Sequence, residues 1–346
     1  MNEGQRPTIE PAETIKVPEM LQEAMTFQAG IRDEVRTQLL KQSSTELSEV
    51  IGHREGDFTY KIDSHAEEKI QGFAEKIAQS HPLTIIAEGF GRKDFGIGNP
   101  EYEIIIDPID GTRGIMYDMR SAWVLTGIAK KRTDGKPCTL EDIEMACMTE
   151  IPTTKQDRVS VLWSVKGQGA VEDIWDLREN RFVGRKALKT SGADTLKHGF
   201  ATFVDFFPGC SREVADIKEN VYEKVIGPVE EGKALVFDDQ YISNAGQMYE
   251  LITGKYRFVA DLRPELEKVL NARGKKLGLA AKPYDLSTSL IAQESGAIIT
   301  DANGGNLSYP LDTSTNCTWI GYANSQLRSK IEPVLMEELA KIEKTS

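Results

Sequence analysis

The chain has 346 residues, 40% of them hydrophobic, and carries 42 Lys and Arg against 54 Asp and Glu, a formal net charge of −12. That length can bury two cores, and the scattered basic residues of an acidic chain exclude nucleic acid as the main partner, because phosphate backbones are gripped by clustered cations. No apolar run reaches membrane-spanning length, and the polar opening MNEGQRPTIEPAETIKVPEM has no apolar signal core, so a cytoplasmic location without a membrane partner is expected. Cys138, Cys147, Cys210 and Cys317 form no CxxC pair, and no cysteine–histidine spacing fits zinc.

Apolar periodicity predicts a helix over 20–40, with Leu21, Met25, Ala29, Val35 and Leu39 roughly in phase, and another over 66–78. Ahead of the latter, DSHAEE reads as a cap, Asp63, followed by acidic first-turn residues. Residues 84–87 form a short apolar strand that releases Glu88 just before Gly89, and 92–99 reads as a flexible loop beside it. Next comes EIIIDPIDGT, Glu103 to Thr112. Ile104, Ile105 and Ile106 have the β-branched signature of a buried strand, Pro108 forbids its simple continuation, and Gly111 supplies a tight bend. Asp107, Asp110 and Thr112 therefore meet at a strand's end before a helix. Hard oxygen ligands there suit Mg²⁺, and exposed amides at the helix start attract phosphate oxygens. An acidic turn that only caps a helix is the competing reading.

Residues 123–129, 147–151, 159–164 and 170–173 read as successive antiparallel strands. After about Lys189 strands and helices alternate, with helices over 213–226, 241–253, 286–295 and 325–342. The expected organisation is an α+β domain, 1–188, carrying Asp57, Glu88 and DPIDGT, followed by an α/β domain, 189–346, carrying Asp285. In KPYDLSTSLIAQESGAIITDANGG, Asp285 opens a helix that Gly296 ends, and a simple N-cap is its plainer role. Before it, LRPELEKVLNARGKKLGLAAK, residues 262–282, reads as an amphipathic helix opened by Pro264 and stopped at Gly274. Its basic residues Lys275, Lys276 and Lys282 either reach an anionic substrate or lie on the surface.

These segments together resemble the inositol monophosphatase family of the lithium-sensitive, Mg²⁺-dependent phosphomonoesterase superfamily, which also includes fructose-1,6-bisphosphatases and nucleotide 3′-phosphatases. DPIDGT matches the family's first motif and YDLSTSLIAQESGAIITDANGG its second, while GDFTYKIDSHAEEKI and IIAEG are similar to its opening acidic segment and its metal-binding Glu strand. All four lie in family order between residues 56 and 305. The resemblance implies a layered αβαβα sandwich of the inositol monophosphatase/fructose bisphosphatase type, a homodimer, and a phosphomonoesterase that hydrolyses a small phosphorylated polyol or sugar with water activated by two or three Mg²⁺ ions. A nucleotide 3′-phosphatase, or a regulatory or binding protein on the same fold, remains the alternative.

Carried over by position, the resemblance gives Glu88, Asp107 and the Ile109 carbonyl to one metal, and Asp107, Asp110 and Asp285 to another. Asp57 and Thr112 would polarise the attacking water, and the amides of Gly111 and Thr112 would meet the phosphate. Ser243 and Asn244 align with a loop that contacts substrate hydroxyls, although capping the next helix explains them equally. Three departures stand out. Arg113 follows Thr112 where the family usually has Asn, and it either reads a second anionic group or is a solvated helix residue. Tyr284 replaces a Trp, and Gly89 sits where a second Glu is common.

Overall fold

The computed structural model describes residues 16–54, 57–60, 62, 66–228 and 230–345, with side chains for all of these but 51–60 and 343–345. Asp63 lies outside them, and Asp57 is described in its backbone alone. The chain opens with α1 (Glu19–Lys41) and the single turn α2 (Ser44–Leu47), then the hairpin β1 (Val50–Arg54) and β2 (Asp57–Tyr60), and α3 (Ala66–Ile77). Strands β3 (Leu83–Ala87), β4 (Gly91–Phe95) and β5 (Tyr102–Asp110) lead into the short α4 (Thr112–Met116). Then follow β6 (Ala122–Lys130), β7 (Ile143–Ile151), β8 (Arg158–Val165), β9 (Ala170–Asp176) and β10 (Arg181–Ala187). Strands β3 to β10 make one eight-stranded sheet in the order β10-β9-β8-β7-β6-β5-β3-β4. It is antiparallel except where β3 and β5 run side by side in parallel.

The second half comprises β11 (Gly199–Phe203), α5 (Ser211–Ile226), β12 (Val236–Phe237), α6 (Asn244–Ile252), β13 (Tyr256–Asp261), α7 (Glu267–Ala272), α8 (Ser289–Glu294), β14 (Ile298–Thr300), β15 (Trp319–Tyr322) and α9 (Ser325–Thr345). Its sheet runs β12-β11-β13-β15-β14, with β11 parallel to both β12 and β13. Five layers result, alternating helix and sheet. Helices α1 and α3 cover one face of the large sheet, α6 and α8 lie between the two sheets, and α5 and α9 close the far side.

Strand periodicity explains the layering. Along β3 and β5, Ile85, Ile104 and Ile106 face α1 and α3, whereas Ile86 and Ile105 join the core between the sheets. Both faces are covered, so these strands read as unbroken apolar runs rather than alternating ones. Helix α1 is pinned as well as packed. Buried Gln28 donates to the Thr126 hydroxyl and the Cys147 carbonyl, both at 2.9 Å, and accepts from the Thr149 hydroxyl at 2.8 Å. A buried amide so satisfied fixes the helix against β6 and β7 without a desolvation penalty left over.

Two strands differ from the sequence reading. Strand β4 takes in residues 92–95 of the 92–99 stretch expected as flexible loop, and it pairs antiparallel with β3 from Ala87↔Gly91 to Leu83↔Phe95. Gly89 at φ +72° and Gly91 at φ +77° let the chain double back, and Asp94 accepts a 2.6 Å bond from the Thr84 hydroxyl. Strand β10 lies at the opposite edge beside β9. Polar edge strands lack the apolar alternation that marks a strand in sequence, and their charges guard the open edge. No described helix is long and apolar enough to cross a membrane.

Candidate functional site

Strand β5 does more than end before the site. It runs through Pro108 to Asp110, with Asp107 opposite Leu125 and Asp110 opposite Trp123. Three residues of β5 thus span two of β6, which is a one-residue bulge at Pro108–Ile109, a place where a proline's missing N–H costs the ladder nothing. The bulge has a geometric consequence. Residues three apart on a regular strand point to opposite faces, but one inserted residue restores the phase, so both carboxylates turn the same way. The Asp-Pro-Ile-Asp spacing works as a cluster because the strand is bulged.

Asp285 reaches the same place from the second half. The sequence puts it at a helix start, whereas the structure has turns over 283–288 before α8 begins at Ser289. Pro283 and the run Ser287, Thr288, Ser289 favour tight turns over regular helix: the amides of Leu286, Ser287 and Ser289 bond three residues back to Pro283, Tyr284 and Leu286. The Asp285 carboxylate accepts from the Lys282 amide at 2.6 Å, closing the turn. Carboxylate oxygens of Asp107, Asp110 and Asp285 all lie within 4.8 Å of one another, with Asp107 and Asp110 buried. Glu88, half-buried at the end of β3, is close enough for its charge to act on Asp107.

Such a cluster is electrostatically frustrated. Burial first, then the charges of Glu88, Asp110 and Asp285, push the Asp107 carboxyl well above its ordinary range. Burial likewise raises Asp110 to about 6, against hydrogen bonds that favour its charged form, and burial with the neighbouring Asp110 raises Asp285 to about 7. Three close hard-oxygen donors, two of them buried and all with carboxyls pushed above their ordinary range, fit a divalent cation, whose charge would offset that cost.

Ser243 and Asn244, expected either beside a substrate or as a helix cap, hold the carboxylates. The Ser243 hydroxyl donates to Asp110 at 2.8 Å and accepts from the Gly246 amide at 2.8 Å, so it caps α6 and fixes Asp110 together. The Ala245 amide adds a 2.5 Å bond to the same Asp110 oxygen. Asn244 bonds Asp285 through its side chain while accepting from the Trp319 indole at 3.0 Å. The start of α6 thereby ties both halves' carboxylates together. Gly111, at φ +93°, fits beneath it: an added Cβ would stand 3.0 Å from the Ser243 Cβ. The Thr112 hydroxyl donates to the Ile109 carbonyl at 2.8 Å, the same carbonyl expected to face a metal. Lys282 donates to the Ser314 carbonyl and the Asn316 side chain.

One residue at the site escaped the sequence reading. Arg263, 9% exposed, follows β13 and grips buried Asp261 through Nε at 2.8 Å and Nη2 at 2.5 Å. Its charge acts on Asp285 and Asp110 as well. The available signal was Asp261-x-Arg263 at a strand's end, read there only as the approach to a helix.

No family model matches the chain. Among curated proteins it is 24% identical over 285 residues to a fructose-1,6-bisphosphatase/inositol-1-monophosphatase of Methanothermobacter thermautotrophicus, covering 81% of this chain and 84% of that one. It is 28% identical over 186 residues to a bifunctional NADP phosphatase/NAD kinase of Methanococcus maripaludis, covering 52% of this chain and 30% of that protein. Among solved structures, fructose-1,6-bisphosphatase of Leishmania major superposes with a TM-score of 0.64 at 12% identity, covering 94% of this chain and 93% of that one. An inositol monophosphatase–fructose 1,6-bisphosphatase gives 0.60 at 19%, covering 92% and 98%. The layered fold, the order of its segments and these relatives agree: the chain has the fold of the inositol monophosphatase/fructose-1,6-bisphosphatase structures and is similar in sequence to phosphoric monoester hydrolases of that superfamily.

Proposed function

We propose that the protein is a Mg²⁺-dependent phosphomonoesterase acting on a small phosphorylated substrate. One observation carries the reading: three carboxylates from two halves of the fold meet within 4.8 Å, two of them buried, in a place where like charges are costly unless a cation is held. Asp107, Asp110 and Asp285 would hold Mg²⁺, with Glu88 and the Ile109 carbonyl contributing to a second ion. Bound there, the ions offset the substrate's phosphate charge and lower the pKa of water.

The chain's own residues set up the rest. The bulged end of β5 and the cap of α6 hold Asp107 and Asp110 in one orientation before any substrate arrives, so little reorganisation is left for the reaction. The left-handed turn at Gly111 places the opening of α4 directly after Asp110, and in this reading the phosphoryl group sits against the amides of Gly111 and Thr112. Thr112, its proton committed to the Ile109 carbonyl, presents lone pairs that can accept from and orient the attacking water, with Asp57 as its partner. The division at 188/189 then separates a half that brings Asp57, Glu88, Asp107 and Asp110 from one that brings Asp285. A homodimer fits the family resemblance.

Phosphate release from a panel of monoesters, with Mg²⁺ and with a chelator, tests this. Release that needs Mg²⁺ and vanishes in Asp107→Asn supports it, and absence of metal-dependent release from every member refutes it.

A further inference from the structure

Arg263 also walls a cavity of about 250 Å³ between residues 204–210, which follow β11, and 263–278, which follow β13, and that space adjoins the site already described. The carboxylate cluster itself depends on how two halves of the fold are set against each other. Asp285 meets Asp107 and Asp110 within 4.8 Å from the far half, so whatever sets the angle of its segment against the large sheet sets the geometry of the cluster. That segment is one continuous piece. The turns over 283–288 run into α8 without a break, the Ser289 amide bonding the Leu286 carbonyl and the Ile291 amide that of Thr288. Near Asp285 it rests directly on β6, where the Ser287 carbonyl stands 2.5 Å from the place a Cβ on Gly127 would take. Only glycine admits so close an approach. Lys282, its partners Ser314 and Asn316, and Asn244 all belong to the second half, so their bonds tie Asp285 to its own half and leave its register against β5 open.

The other end of the piece is clipped to the first half. Helix α8 lies across β7, β8 and β9, and Glu294, its last residue, accepts from the Gly167 amide at 2.7 Å through one carboxylate oxygen and from the Gly169 amide at 2.8 Å through the other. Both amides belong to the turn between β8 and β9. The turn is shaped to present them: the Gln168 amide closes back on the Val165 carbonyl at 2.9 Å, and Gly167 at φ +81° and Gly169 at φ +77° are left-handed. Two charge-assisted bonds, one to each oxygen, fix direction as well as distance. Glu294 lies inside the second sequence motif, YDLSTSLIAQESGAIITDANGG, at the opposite end of α8 from Asp285.

We infer that Glu294 is a positioning residue for the metal site: with the contact at Gly127 as pivot, its grip on the β8–β9 turn sets the tilt of α8 and hence where the Asp285 carboxylate stands relative to Asp107 and Asp110. The inference rests on the phosphomonoesterase reading for the presence of a metal there. Calorimetric Mg²⁺ titration of the folded protein tests it in Glu294→Gln, which turns an NH₂ toward one of two N–H donors, and in Gly169→Ala, whose added Cβ meets nothing within 4 Å and so acts only by straining the turn. Each should weaken Mg²⁺ binding about tenfold. The double variant should be little weaker than either single, since both break the same contact. Glu338, buried between α5 and α9 and bonded by Asn220, Lys224 and Lys341, gives the comparison. Glu338→Gln should lower the urea midpoint yet leave Mg²⁺ affinity at the wild-type value. Unchanged affinity in Glu294→Gln, or an equal loss in Glu338→Gln, overturns the inference, because Glu294 then only stabilises the fold. A wild type that binds no Mg²⁺ removes the metal reading and this inference with it, whereas a binding wild type with an indifferent Glu294 variant removes the inference alone. If Glu294→Gln does not fold, Gly169→Ala carries the test with the same expected drop.

Discussion

The carboxylate cluster and the cavity beyond it share one wall, Arg263, and are built in opposite ways. Asp107 and Asp110 come from a bulged strand deep in the large sheet, locked by Ser243 and Ala245. The cavity is walled by two connections, one of them carrying a 3-10 turn, Arg263–Leu266, and the six-residue α7. The first is fixed by backbone hydrogen bonding, which tolerates little change of sequence. The second depends on which side chains its loops carry, so it can differ between relatives that share the chemistry.

The largest effect should come from the cluster. Asp107→Asn keeps shape and removes charge, so metal-dependent hydrolysis should fall at least about a thousandfold, roughly 4 kcal/mol of transition-state stabilisation, while the metal-free protein melts no earlier because one repelling carboxylate is gone. Phosphate release and thermal melts check both halves, and activity within tenfold of wild type would break the assignment. At the shared wall the expected loss is one of stability. Arg263→Met leaves Asp261 buried and unpaired, which should cost about 3–5 kcal/mol in urea unfolding, and the double variant Asp261→Leu/Arg263→Met should recover most of it. If the double variant is no better than the single, Arg263 stabilises the fold through something other than that pair.

The same contrast shows what could be read from sequence. The triplet Ile104, Ile105, Ile106 announced a two-sided buried strand because β-branched side chains have few other uses in a row, and the periodic apolar residues of 20–40 announced α1. Gln28, inside that helix's buried face, carried no such signal, since its partners Thr126, Cys147 and Thr149 lie about a hundred residues away. The bulge was half legible: Pro108 showed that the ladder must change, but the pairing of Asp110 with Trp123 is a property of β6. Edge strands β4 and β10, with exposed polar residues, were hidden for lack of alternation. Arg263 was hidden for a different reason. Its neighbours Phe206 and Phe207 lie more than fifty residues upstream, and only the parallel pairing of β11 and β13 brings them together.

Protonation gives a sharper test of whether the cluster awaits a cation. Asp110 and Asp285 hold their protons to about 6 and about 7 in the metal-free fold, against an ordinary value of 3.8. A folded-state pKa above the unfolded one means that the fold binds protons more tightly, so this contribution to stability is complete below about pH 4 and is lost as pH rises through 6 and 7. Cation binding must expel those protons, so metal affinity rises over the same window. The melting temperature of metal-free wild type should therefore fall relative to Asp285→Asn between pH 4 and 8, and added Mg²⁺ should close the gap. Parallel curves would mean that neither burial nor the neighbouring Asp110 raises the Asp285 carboxyl in solution.

The smallest effects lie where the cap of α6 meets the bulge. Ser243→Ala removes both the donor to Asp110 and the acceptor for the Gly246 amide. Metal affinity should drop about 10–100-fold by calorimetry, since groups that orient a ligand typically matter by that much. Gly111→Ala acts through the same contact without touching a carboxylate. Its φ of +93° disfavours any Cβ, and the added methyl would meet the Ser243 Cβ at 3.0 Å, so about 1–2 kcal/mol of strain is expected. Relief can come in two ways: the turn flattens, moving the α4 opening, or Ser243 shifts and loosens Asp110. Only the second weakens metal binding. Combining the two substitutions decides between them, because strain relieved at Ser243 makes their effects on metal affinity less than additive, whereas a shift of α4 leaves them independent.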